Sequence, residues 1–188
     1  MNVYDFDNTI YDGESVVDFY LFLLKKNPRL ISFMPKMVWM LIKYKACLVS
    51  EEELLKKAQR YAISLLPYIK DSRVVSEFWN ENQKKIKKFY LDRHREDDVV
   101  LSASCNLLLD EMCRRLGVKT IISSEVDVDT GEILQVCFRN KKAEIFKKYF
   151  PDAVIDNFYT DSMNDRSMFS LAKHIYLVKG NKVKEIEK

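Results

Sequence analysis

Two carboxylates set two residues apart, Asp5 and Asp7 in Val3-Tyr4-Asp5-Phe6-Asp7-Asn8-Thr9, are the first residues of the chain with chemistry to offer. Acids so close repel one another unless a proton, a hydrogen bond or a cation compensates. A hard divalent ion is the economical partner, and Mg²⁺ commonly takes one or two carboxylates plus water and a substrate phosphate. Alone, Asp-x-Asp-x-Thr is also what an acidic turn looks like, because turns are rich in Asp and Asn. Four more groups answer it downstream. Ser102 follows the apolar run Val99-Val100-Leu101, Lys142 opens a helical stretch, and Asp161 and Asp165 follow the apolar run from Ala153 to Tyr159. Together the six suit phosphoryl transfer: one carboxylate attacks, a second manages the proton, a cation shields charge, and donors bind the phosphoryl oxygens.

Groups so far apart in sequence meet only if the elements between them bring them to one edge. Val3, Phe6 and Ile10 among polar neighbours predict a short strand, followed by turn residues at Asn8-Thr9 and Asp12-Gly13. Beyond residue 97 the pattern predicts strands at 99–101, 118–122, 153–159 and, last, 175–178, with a hairpin at 126–134 turning at Asp129 to Gly131. Helices are expected at about 105–116, closed by Gly117, at 141–149, broken by Pro151, and at 167–173. Strands alternating with helices predict an α/β fold, a Rossmann-like, mostly parallel sheet covered by helices on both faces. In such a sheet the carboxyl ends of the strands face one crevice, and the helix starting near Cys105 aims its free N–H groups at the same edge.

Residues 14–92 read differently. Val16 to Leu24 predicts a helix ended by Asn27-Pro28, and a second stretch runs from Leu30 to Val49. Ser50-Glu51-Glu52-Glu53 fits a capping box for a helix that Pro67 is expected to stop, and Asp71-Ser72 caps one reaching Tyr90. The predicted domains are therefore an α/β core of 1–13 and 93–188 and an inserted helical-bundle cap of 14–92. Lys36, Lys43 and Lys45 bound the apolar run 37–42, so no window reaches the ~18 apolar residues that cross a bilayer, and no integral membrane segment is expected.

With 47% hydrophobic and 31% charged residues, the 188-residue composition is globular, and a net charge of +3 is too mild to indicate nucleic acid. Cysteines 47, 105, 113 and 137 lack both C-x-x-C and metal-ligand spacing, which points to small buried hydrophobes or free thiols in a reducing compartment and not to a disulfide frame. A first strand beginning at residue 2 or 3 leaves no room for a signal peptide, so a cytoplasmic location is expected. His94 and His174 have no partner pattern.

Asp5-Phe6-Asp7-Asn8-Thr9, Ser102 after its apolar strand, Lys142 in Lys-Ala-Glu-Ile-Phe, and Asp161-Ser162-Met163-Asn164-Asp165 resemble, in order, the four motifs of the haloacid dehalogenase superfamily. The insertion straight after the first motif is similar to the cap of its phosphoserine-phosphatase-like branch. The resemblance implies a Mg²⁺-dependent phosphatase acting on a small phosphorylated metabolite. Asp5 would be the nucleophile and Asp7 the acid that protonates the leaving oxygen and then activates water. Mg²⁺ would be held by the Asp5 carboxylate, the Asp7 backbone carbonyl and Asp161, with Asp165 acting through water or on Lys142. Ser102 and Lys142 would bind the phosphoryl oxygens, Lys142 in preference to Lys141 because of the Ala-Glu-Ile-Phe that follows. An acid at position 7 separates phosphatases from the dehalogenases of the family. Glu14 falls where phosphoserine phosphatases meet the substrate ammonium, and is explained equally by the dipole of the helix it opens. Asn164 matches a polar residue near the leaving group. Ser102-Ala103-Ser104 departs from the Ser-Gly-Gly of those enzymes, and neither Arg60 nor Arg73 sits in a motif that would read a carboxylate. Rival readings are a phosphotransferase, a receiver-type domain that stores an aspartyl-phosphate, and an idle member that binds through its cap.

Overall fold

A computed structural model of the chain describes residues 1–33, 35, 39 and 51–187. Its centre is a seven-stranded sheet of β1 (Asn2–Tyr4), β2 (Val99–Cys105), β3 (Thr120–Val126), β4 (Ile133–Gln135), β5 (Ile155–Thr160), β6 (Ala172–Lys179) and β7 (Lys182–Ile186). They lie in the order β4-β3-β2-β1-β5-β6-β7. The inner five are parallel, and β4 and β7 pair antiparallel at the edges. After β1 the chain builds β2 to β4 on one side, then crosses to build β5 to β7 on the other. The order reverses at β1, and the crevice outside its carboxyl end is where ligands bind in such sheets.

Successive side chains of each strand point to opposite faces, and both faces are covered. Tyr4 and Val100 point into one buried cluster, with Leu108, Leu109 and Met112 of helix α5 (Asn106–Arg115). Val3, Val99, Leu101 and Phe158 point into the other, with Ile145 and Phe146 of α6 (Asn140–Tyr149) and Met168 of α7 (Arg166–Phe169). The inserted segment supplies α1 (Ser15–Lys26), α2 (Glu51–Ile69), α3 (Ser72–Asn82) and the short α4 (Lys88–Leu91). Its Phe22, Leu23, Phe78 and Trp79 join the first cluster, and Trp79 Nε1 donates to the Leu108 carbonyl at 2.7 Å. The insertion is thus packed onto α5 rather than tethered beside it.

Several boundaries differ from expectation. Helix α2 runs past Pro67 to Ile69; so close to the helix end, a missing N–H costs one bond and the last turn still closes through Lys70 N–H to Leu66 O at 3.0 Å. The helix expected from residue 72 to Tyr90 is broken at 83–87. There Ile86 pairs with Tyr11, Asp12 N–H bonds Lys85 O at 2.9 Å, and Lys87 N–H bonds Ile10 O at 2.8 Å. This pairing ties the two ends of the insertion together. Strand β2 does not stop at Ser102 but continues to Cys105, its register against β3 shifting after Leu101 while Ser124 Oγ holds the Ala103 carbonyl at 2.8 Å. A strand also follows the one expected to be last: β7 turns back at Gly180, whose φ is +59°. The last helix ends at Phe169 because β6 begins at Ala172. The stretch expected at Leu30 to Val49 lies largely outside the described residues; its first part is a 3₁₀ turn, Pro28–Phe33. Among the described residues no helix is long and apolar enough to cross a membrane.

Helix α2 is clasped to the β3–β4 hairpin. The Gln59 amide donates to the Gly131 carbonyl at 2.6 Å and accepts the Ile133 N–H at 2.8 Å. Gly131 has a φ of +73°, and a Cβ there would lie 2.9 Å from Leu66 Cδ1 and 3.1 Å from the Ile63 Cα. Both the left-handed backbone and the close helix call for glycine. Gly131→Ala is expected to lower stability by about 1–3 kcal/mol in urea denaturation.

Candidate active site

At the carboxyl end of β1, Asp5 is buried and its backbone N–H extends the ladder to Tyr159 O at 2.9 Å. The chain then turns sharply. Asn8 adopts a left-handed φ of +56°, which a short amide side chain tolerates, and its N–H bonds Gly13 O at 3.0 Å. The buried Lys87 ammonium donates to the Asn8 carbonyl, so the end of the insertion steadies this loop.

Lys142, near the start of α6, is the hinge of the site. Its Nζ lies 2.7 Å from Asp5 Oδ1 and 3.0 Å from Asp165 Oδ2, with all three residues buried. Thr9 Oγ1 donates to Asp5 Oδ2 at 3.3 Å and Thr160 Oγ1 to Asp165 Oδ2 at 2.8 Å, so both acids are oriented by a hydroxyl as well. Burial pushes the Asp5 carboxyl up to about 7, against the pull of Lys142 and with help from Asp165 and Asp7. Burial works against the Lys142 ammonium too, but Asp5 and Asp165 outweigh it and hold the proton more tightly than usual. Burial, then Asp165, raises Asp161; burial, then Asp7, raises Glu14.

These side chains share a cleft of about 180 Å³, whose walls include Asp5, Asp7, Glu14, Lys142, Asp161, Asn164 and Asp165. Asn8 Nδ2 donates to Glu14 Oε1 at 2.7 Å, holding that carboxylate on the wall. Seven of the eight residues picked from the sequence therefore meet. Ser102 is the exception: it is fully buried, accepts the Ser104 N–H on its Oγ at 3.1 Å, and leaves the wall to Ala103. Other groups had no signal in the sequence. Phe138 and Arg139 line the cleft, and Arg139 holds the unusual φ of +49° and ψ of −123° at the head of α6. Ser104 and Ser15 hold Asp7. Lys141, the neighbour weighed against Lys142, is exposed and absent from the cleft wall. A larger hollow of about 480 Å³ between α1 and α3 holds the Asp18–Lys85 ion pair but no strand-end groups.

Among the described residues, five carboxylates on the wall face two cationic side chains, Arg139 and Lys142. That surplus of hard oxygen donors fits a divalent cation. Among the described residues no three His, Cys, Asp or Glu side chains form a metal cluster by themselves. A site of two carboxylates, a backbone carbonyl and water is the sparser set that Mg²⁺ accepts.

The haloacid dehalogenase-like hydrolase family model matches residues 3–170. Among solved structures, one from Bordetella pertussis Tohama I, described as a protein with unknown function, superimposes with a TM-score of 0.75 at 15% identity, covering 93% of this chain and 87% of that one. A phosphoserine phosphohydrolase-like protein from Francisella tularensis subsp. tularensis SCHU S4 gives 0.59 at 14% identity, covering 93% and 86%. A phosphoserine phosphatase captured as a phospho-aspartyl intermediate analogue gives 0.52 at 16%, covering 92% and 83%. A search of curated proteins finds no match. At such identities the structural likeness speaks for the fold, and the family match over most of the length carries the assignment: the chain belongs to the haloacid dehalogenase-like hydrolases.

Proposed function

We propose that this protein is a Mg²⁺-dependent phosphatase that hydrolyses a small phosphomonoester through a phosphorylated Asp5, with residues 14–92 as its cap. The observation that carries the reading is Lys142, its ammonium shared between Asp5 and Asp165 at the point where the sheet order reverses. An ammonium so placed holds a phosphoryl oxygen next to the attacking carboxylate and offsets charge as it builds. Asp5 attacks phosphorus, and Asp7 gives its proton to the departing oxygen. Asp7 then takes a proton from the water that releases phosphate from Asp5. The residues to hold Mg²⁺ are Asp5, the Asp7 carbonyl and Asp161, with Asp165 behind them; bound there, the ion supplies charge neutralisation and orientation. Ser102, buried behind Ala103, stays off the cleft wall and is left out of the proposed phosphoryl ligands. Glu14 and Asn164 stand on the wall for the leaving group. A cap clasped at Gln59 excludes water from the reaction. The proposal includes a cytoplasmic setting.

The test is release of phosphate from p-nitrophenyl phosphate by purified protein. Turnover should appear with Mg²⁺, fall more than about tenfold with EDTA, and return when Mg²⁺ is restored in excess. Turnover that ignores chelation would remove the metal from the proposal.

A further inference from the structure

Asp7 is gripped from two sides by groups that the phosphatase reading does not use. Ser15 N–H, at the first residue of α1, donates to Asp7 Oδ1 at 2.6 Å. Ser104 Oγ, from β2, donates to Asp7 Oδ2 at 2.5 Å. Behind it Ser15 Oγ lies 3.1 Å from Ser104 Oγ, and both serines are buried, at 0% and 4% exposure. The Ser104 N–H in turn binds Ser102 Oγ at 3.1 Å. One residue thus joins the acid after β1 and the first turn of the insertion through its hydroxyl, and the hydroxyl of Ser102 through its backbone N–H.

We propose that Ser104 is a positioning residue for proton transfer: its hydroxyl, backed by Ser15, holds the Asp7 carboxyl aimed at the leaving oxygen. The proposal rests on the phosphatase reading and deepens it. As the Asp5 oxygen forms its bond to phosphorus and the ester P–O bond breaks, the departing oxygen takes the proton from Asp7. A carboxyl has about four lone-pair positions. Two are taken by Ser15 N–H and Ser104 Oγ, which leaves the edge on the cleft wall for the proton in transit. An acid fixed beforehand need not be ordered during the reaction. A glycine at 104 would have no side-chain donor for Asp7. It also ties Asp7 to the start of α1, so the acid's aim follows the seating of the insertion.

The experiment compares p-nitrophenyl phosphate with phenyl phosphate, esters of nearly the same shape. Nitrophenolate departs well as an anion, whereas phenolate gains far more from a proton donor. In Ser104→Ala, kcat/KM for phenyl phosphate is expected to fall about tenfold further than for p-nitrophenyl phosphate. Ser104→Thr, which keeps the hydroxyl, should recover most of that ratio. Ser15→Ala keeps the backbone N–H on Asp7 and removes only the donor behind Ser104, so it should move the ratio the same way by less; it also serves if Ser104→Ala fails to fold. Equal losses on both esters, or no loss, overturn the proposal, since a purely structural serine would not sort leaving groups. Wild-type protein inactive on both esters would instead overturn the phosphatase reading itself, and this inference with it.

Discussion

Asp5→Asn is expected to lose turnover of p-nitrophenyl phosphate by on the order of a thousandfold or more, while the protein melts at or above the wild-type temperature. The chemical half follows from the nucleophile: an amide nitrogen has no lone pair to offer phosphorus, and the remaining amide oxygen is a far weaker attacker than a carboxylate. The stability half follows from burial. Asp5 is buried among Lys142, Asp165 and Asp7, and its carboxyl is pushed up to about 7. A group raised in the folded state favours folding below its ordinary value, and that contribution drains away as the pH climbs to about 7. Above that pH the wild type holds a buried charge that asparagine does not carry. The amide oxygen still accepts from Lys142, and the Thr9 hydroxyl can rotate to accept from the new NH₂. Melting in chelator at pH 8, alongside phosphate release, checks both halves. Acid-stable phosphate on wild-type protein without turnover would favour a receiver-like domain. A variant as active as wild type would show that Asp5 is not the nucleophile.

The parts of this site that are legible in the sequence are those fixed by local pattern. Asp5 and Asp7 follow an alternating strand into a turn, and Asp161 and Asp165 do the same after β5. An open α/β sheet sends both ends to one edge. Lys142 is different: a lysine at a helix start has no local mark, and only its place in an ordered set of motifs singled it out before the 2.7 Å contact with Asp5 appeared. Ser15, Ser104, Thr160 and Arg139 were illegible because hydroxyls and arginines occur everywhere. Their roles depend on which residues lie opposite after folding, 89 positions apart for Ser15 and Ser104. The same cause explains the broken helix at 83–87. Ile86, Phe89 and Tyr90 continue a helical apolar rhythm, but pairing with residues 10–12 satisfies the same backbone groups through a contact no window detects. Strand β7 escaped because its run, Lys182 to Ile186, is charged, as an exposed edge strand tends to be.

Lys142→Met should be the most damaging single change to stability at the site, and its cost should depend on pH in a defined direction. The side chain is 4% exposed and is the cation in contact with both Asp5 and Asp165. Methionine fills similar space but leaves those carboxylates to each other, and breaking a buried ion pair from one side costs about 3–5 kcal/mol. Protonation limits the damage. Without the ammonium the Asp5 carboxyl rises beyond its wild-type value of about 7. Both proteins then lose stability together between the ordinary carboxylate range and pH 7. Past that point the wild type levels off while the variant keeps falling, because its Asp5 is still shedding a proton that the unfolded chain lost long before. In urea denaturation with chelator, the gap should be widest at pH 9 and narrower by more than about 1 kcal/mol at pH 6, one pKa unit being worth about 1.4 kcal/mol. Added Mg²⁺ should recover part of the loss at pH 9 without recovering turnover, since an ion can replace the charge but not the donor beside the phosphoryl oxygen. A gap that is the same at both pH values would mean that Lys142 acts by packing alone, and the charge balance drawn for the site would be wrong.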